Sequence, residues 1–215
     1  MEKNVDNENY DYLFRIMILG DSKVGKTSVT RRFIKNSFKE EHELVIGYGL
    51  EKKFLQKDNK LIKLLIFDKV NTSNPLAPLP TKYFLGKEGA IIVYESKYSI
   101  FDDKYDIYDN IKENIELIKA NADFDTKIIL FENKCDLEKN IEIEEKIKQL
   151  ADEYGIKHFE VSAKTGYNIN EGFDSLINDM IEQENIDIKS NKKNVKLKYR
   201  DIKNKRDKRD KKCAK

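Results

Sequence analysis

The chain has 215 residues, 39% hydrophobic and 37% charged, enough for one mid-sized domain plus an extension. No apolar run approaches the roughly 18 residues a bilayer span needs, residues 1–9 lack the apolar centre of a secretory signal, and Cys135 and Cys213 make neither a disulfide framework nor a zinc cluster. The net charge of +2 conceals a split: residues 189–215 carry 14 Lys or Arg against 3 Asp, a net of +11, and residues 1–188 carry 27 against 36, a net of −9.

Residues 1–9 are polar and are expected to form a flexible N-terminus. Leu13 to Leu19 then reads as a buried strand, and Lys26 to Asn36 as a helix. Two strands follow in succession, Leu50 to Leu55 and Leu61 to Phe67, separated by the turn-forming Lys57-Asp58-Asn59-Lys60. Ala90 to Tyr94 is another short apolar strand, with a helical stretch near Tyr105 to Asn121 behind it. Lys127 to Phe131 is a fifth strand, Ile143 to Tyr154 a charged helix stopped by Gly155, and His158 to Val161 the last strand. Ile169, Phe173, Leu176, Ile177, Met180 and Ile181 share one face of a final helix. This alternation predicts an α/β fold, a sheet covered by helices on both faces. Beyond residue 186 the few apolar residues cannot bury a core, so residues 187–215 are expected to be a disordered basic tail. Such a tail suits an anionic membrane surface or nucleic acid, or is a solvated extension without a partner.

Three strings carry chemistry. Gly20-Asp21-Ser22-Lys23-Val24-Gly25-Lys26-Thr27, followed by Ser28, fits G-x-x-x-x-G-K-[ST] between a strand and a helix. Its glycines let backbone N–H groups turn toward phosphates, with Lys26 reaching the β- and γ-phosphates and Thr27 ligating Mg²⁺. Asn133-Lys134-Cys135-Asp136 follows the fifth strand. A carboxylate there can accept two N–H groups from a guanine edge, a pair that adenine does not offer. Ser162-Ala163-Lys164 follows the last strand at a similar edge.

With these three in order, the chain resembles the Ras superfamily of small GTPases, most closely its Rab branch, over about Tyr10 to Glu184. The resemblance implies a single P-loop GTPase domain over residues 10–186, with a mostly parallel six-stranded sheet. It implies that Asp136 binds the guanine edge, that Asn133 and Lys134 shape and stack the base pocket, and that Ala163, between Ser162 and Lys164, adds a backbone contact. Phe38, eleven residues after Thr27, matches an aromatic lid on the base, or is an ordinary core aromatic. Asp68 matches the aspartate that holds Mg²⁺ through water, or is a strand-end cap.

The sequence departs from the family pattern in both switch regions. The first-switch Thr position is Val45, which offers no oxygen to a metal. The second switch, D-T-A-G-Q in the family, reads Asp68-Lys69-Val70-Asn71-Thr72, so the water-orienting Gln position holds Thr72 and no catalytic residue is assigned. Lys69 is a solvent-facing lysine or a cation near the phosphates. Pro75, Pro78 and Pro80 argue against a regular helix there. Cys213, three residues from the end, is a candidate lipidation site that does not fit the four-residue prenylation box.

The expectation is a guanine-nucleotide-binding protein using GTP/GDP and Mg²⁺, with slow or absent hydrolysis. Effectors or regulators would meet the switch surface, no specific nucleic acid is expected, and a cytoplasmic monomer would sit peripherally on an internal membrane. The competing reading is a pseudo-GTPase, a non-switching interaction module.

Overall fold

The central strand β1 (Tyr12–Leu19) divides its side chains between two cores, Phe14, Ile16 and Ile18 pointing one way and Met17 and Leu19 the other. All five are essentially inaccessible, as a strand covered on both faces requires. This is a computed structural model, and it describes residues 9–39, 48–69, 80–96, 107–122 and 125–188, without the side chains of Tyr48 and Lys69.

From β1 the chain runs through α1 (Lys26–Lys35), β2 (Tyr48–Lys57), β3 (Lys60–Lys69) and a 3₁₀ turn (Thr81–Tyr83) to β4 (Gly89–Tyr94). It continues through α2 (Ile107–Asn121), β5 (Lys127–Glu132), α3 (Ile141–Tyr154) and β6 (Lys157–Glu160) to α4, residues 169–188. The six strands form one sheet in the order β2-β3-β1-β4-β5-β6. Only β2 runs antiparallel to its neighbour, because Asp58 and Asn59 both take positive φ and turn it directly into β3. β1 pairs in parallel with β3 from Tyr12↔Ile62 to Ile18↔Asp68, and with β4 from Ile16↔Gly89 to Leu19↔Ile92. The order reverses around β1, so the crevice at the carboxyl ends of the parallel strands opens there.

α1 and α4 cover one face. There Phe33 stacks on Phe173 with centroids 3.7 Å apart, and Phe173 meets Phe131 edge-on at 5.8 Å. α2 and α3 cover the other, through Ile111, Ile115 and Ile118 of α2 and Ile147 and Leu150 of α3. Burying an aromatic ring such as Phe173 stabilises the fold by about 1.5–3 kcal/mol, and this side chain is fully inaccessible.

Element ends differ from the expected ones for local reasons. α3 starts two residues early because the Asn140 side chain accepts from the amides of Glu142 and Ile143. Gly155 ends it with φ +65°. β3 runs through Lys69, so Asp68 lies inside a strand, paired opposite Ile18 and Gly49. Val161 falls just beyond β6, although its amide still donates to the Glu132 carbonyl at 2.8 Å. Of the proline-rich segment, Pro80 leads into the 3₁₀ turn. Pro75 and Pro78, the switch positions Val45, Val70, Asn71 and Thr72, residues 1–8, and residues 189–215 with Cys213 lie outside the described residues, while residues 187 and 188, expected in the tail, end α4.

Candidate functional site

Four loops leave the carboxyl ends of β1, α1, β5 and β6 and meet around one cavity of about 180 Å³. Its lining takes Gly25 and Ser28 from the first, Phe38 from the second, Asn133, Lys134, Asp136 and Leu137 from the third, and Ala163 and Lys164 from the fourth. All but Leu137 were singled out by sequence. Phe38 is half-buried, lines the cavity and also packs against the core under α1 and α4.

The loop between β1 and α1 takes its shape from left-handed backbone at Gly20, Lys23 and Gly25. Gly20 has φ +127°, and a Cβ there would lie 2.0 Å from the Val93 carbonyl oxygen. No side chain caps α1, which leaves the donors of its first turn uncommitted to a cap. The buried Lys26 ammonium donates to the Gly20 carbonyl at 3.0 Å and to the Asp21 carbonyl. It therefore lies within the loop beside the helix terminus. Ser22 and Lys23 are exposed, and Val24 is buried beneath them.

Asn133 joins the three loops. Its side-chain amide donates to the Val24 carbonyl at 2.8 Å, and its Oδ1 accepts from the Ala163 amide at 3.0 Å. The Ala163 amide is thus held by the Asn133 side chain. Lys134 has φ +66°, donates to the Lys23 carbonyl at 2.9 Å and is ion-paired with Glu95. Its stem therefore spans the gap between the phosphate-type loop and the third loop. The Ser162 hydroxyl donates to Asp136 Oδ1 at 2.5 Å and accepts from the Thr165 amide at 3.1 Å. One carboxylate oxygen is thereby fixed while Asp136 itself is exposed on the cavity wall.

Asp68 lies one residue before the end of β3, next to the phosphate-type loop, and is only 3% exposed. Burial pushes its carboxyl above the ordinary range, opposed by the hydrogen bond from the Thr27 hydroxyl and by the charge of Lys26. Its Oδ1 is buried with no hydrogen-bond partner among the described residues, which is costly for a carboxylate. A hydroxyl and an orphaned carboxylate oxygen side by side are hard oxygen donors, and that set fits Mg²⁺.

Sequence reasoning missed Arg32. From α1 it donates through Nε to the Ala163 carbonyl at 2.8 Å and through its guanidinium to the Lys164 carbonyl at 2.6 Å, fastening the fourth loop to the helix. It also missed Leu137, which adjacency to Asp136 was a sufficient signal to include.

The sequence profile of the Ras family matches residues 15–182. Ras-related protein Rab-13 of Mesocricetus auratus is 33% identical over 173 residues, covering 80% of this chain and 82% of that protein. Ras-related protein Rab-8B of Bos taurus is 34% identical over 179 residues, 83% of each. Ras-related protein Rab-3A of Homo sapiens is 30% identical over 193 residues, 85% of this chain and 80% of its own.

Proposed function

The chain belongs to the Ras family, and from that premise we propose a Rab-like protein that binds GTP and GDP with Mg²⁺, acts in vesicle trafficking or signalling, and hydrolyses GTP slowly or not at all. The observation that carries this reading is the single cavity on which all three motif strings and Phe38 converge.

In this reading the free edge of the Asp136 carboxylate accepts the two N–H groups of guanine, and Asn133 and Lys134 hold the base pocket to the phosphate loop. The loop amides from Asp21 to Ser28, the α1 terminus and the Lys26 ammonium meet the phosphates. Thr27 and Asp68 would hold Mg²⁺, which when bound neutralises phosphate charge. Slow hydrolysis rests on sequence: Thr72 is too short to orient water as Gln does, Val45 offers no oxygen to the metal, and Asn71 tolerates the backbone angles of the glycine it replaces only partly. Losing one such transition-state contact typically lowers a rate by about 10²-fold. Effectors and regulators would dock on the switch surface of residues 10–186. The basic residues 187–215, with Cys213 as a lipid acceptor, would hold the protein on the cytosolic face of an internal membrane. Among the described residues no helix is long and apolar enough to cross one.

Purifying the full-length chain in Mg²⁺, denaturing it and resolving the released nucleotide by ion exchange tests the proposal. Stoichiometric guanine nucleotide is expected, with a large share as GTP. Absence of nucleotide, together with no uptake of fluorescent GDP, would overturn it in favour of a fixed interaction module.

A further inference from the structure

Glu132 is fully buried, yet it is a carboxylate and the last residue of β5, immediately before Asn133. An unpaired charge there would cost several kcal/mol, so its partners matter. The Ser96 hydroxyl donates to Oε1, the Tyr94 hydroxyl lies 3.4 Å from Oε2, and His158 Nε2 lies 3.5 Å from Oε2. Burial works against its charge, but the hydrogen bonds from His158 and Ser96 and the field of Lys139 leave the carboxyl below its ordinary value.

Lys139 is the unexpected partner, because it comes from the loop that carries Asp136. Its ammonium reaches Glu160 at 2.6 Å, Glu132 at 3.7 Å and Glu144 at 3.9 Å. Glu132, Glu144 and Glu160 form a three-carboxylate cluster of the size that holds a metal ion, but here a cation attached to the chain already sits among them. The backbone adds to the anchorage, since the Asn140 amide donates to the Ser96 carbonyl at 3.1 Å. At the other end the Asn133 amide donates to the Tyr94 carbonyl at 2.8 Å. Asp136 and Leu137 lie on the exposed span between these two anchors.

We propose that Glu132 and Lys139 are positioning residues for base recognition: their pairing clamps the far end of the 134–140 loop so that Asp136 reads the exocyclic amine of guanine. The inference rests on the guanine-nucleotide reading. It makes an ion pair outside the cavity, buried at Glu132 and partly exposed at Lys139, a determinant of specificity, and not merely of stability.

Hypoxanthine differs from guanine by lacking that amine, so the test compares fluorescent GDP with fluorescent IDP on the full-length protein in Mg²⁺. In Lys139→Met and in Glu132→Gln the preference for GDP over IDP is expected to fall by about tenfold or more, the scale of removing one member of a buried charge pair. Lys139→Arg, which keeps the cation, should retain most of it. Lys139 is partly exposed, so its variants serve if Glu132→Gln fails to fold. Variants that bind both nucleotides more weakly in equal measure, or that bind as wild type does, overturn the inference alone. A wild-type chain that binds neither nucleotide overturns the guanine reading and this inference together.

Discussion

Gly25 answers two demands at one position. Its φ of +97° is a conformation that L side chains rarely adopt, and a Cβ there would lie 2.3 Å from Asn133 Nδ2. Gly25→Ala is therefore expected to cost about 1–2 kcal/mol from backbone strain alone, read as a lower urea midpoint. It should also push the Asn133 amide off the Val24 carbonyl and speed release of fluorescent GDP by more than the stability loss explains. This residue was legible in sequence because motif spacing encodes a local loop. Arg32 was not, since the two carbonyls it binds in the fourth loop lie 131 and 132 positions away and only the folded chain brings them near. Glu132 was hidden for a related reason. Lys127 to Phe131 read as an apolar strand, and nothing in the chain order shows that Lys139 turns back to its end.

At the scale of elements, periodicity carried most of the information. β1, β4, β5 and the apolar face of α4 were visible as runs or stripes, because burial on both faces or on one demands those patterns. What periodicity could not show was where hydrogen bonding extends an element past its apolar part, as at Asp68 in β3 or Ile141 in α3. β6 makes a prediction of its own. The hydrogen bond from Lys139, together with that from Lys148 and against some burial, holds the Glu160 carboxyl at about 2, down from an ordinary 4.5. A depressed carboxyl contributes stability that is complete above about pH 4.5 and is lost as pH falls toward 2. Thermal melts should show Glu160→Gln less stable than wild type at neutral pH, with the gap closing over that acid window. A constant gap at all pH values would mean that the network adds nothing through its charge.

Over the whole molecule the charge is divided lengthwise, with a net of −9 up to residue 188 and +11 beyond it. Each basic residue near an anionic bilayer contributes about 1 kcal/mol, within a screening length of about 8 Å at physiological salt. The full-length chain is expected to sediment with vesicles rich in phosphatidylserine at low salt and to be released at high salt. A chain ending at residue 188 should retain guanine nucleotide but remain in the supernatant. Co-sedimentation of the shortened chain would place the membrane contact on the acidic body instead.

The sheet ends on one side at β2, ten residues long with its outer backbone groups facing away from β3. A margin of that length is a template on which a second copy can zip, and because opposed side chains share a face the centre of such a match falls on a residue, as on Lys52. Centred on Lys52, an antiparallel twin would set that exposed lysine against its own copy, and like charges facing each other across strands repel. The same margin stays open to a strand presenting an acidic side chain opposite Lys52, which would meet that lysine with attraction where a twin meets it with repulsion.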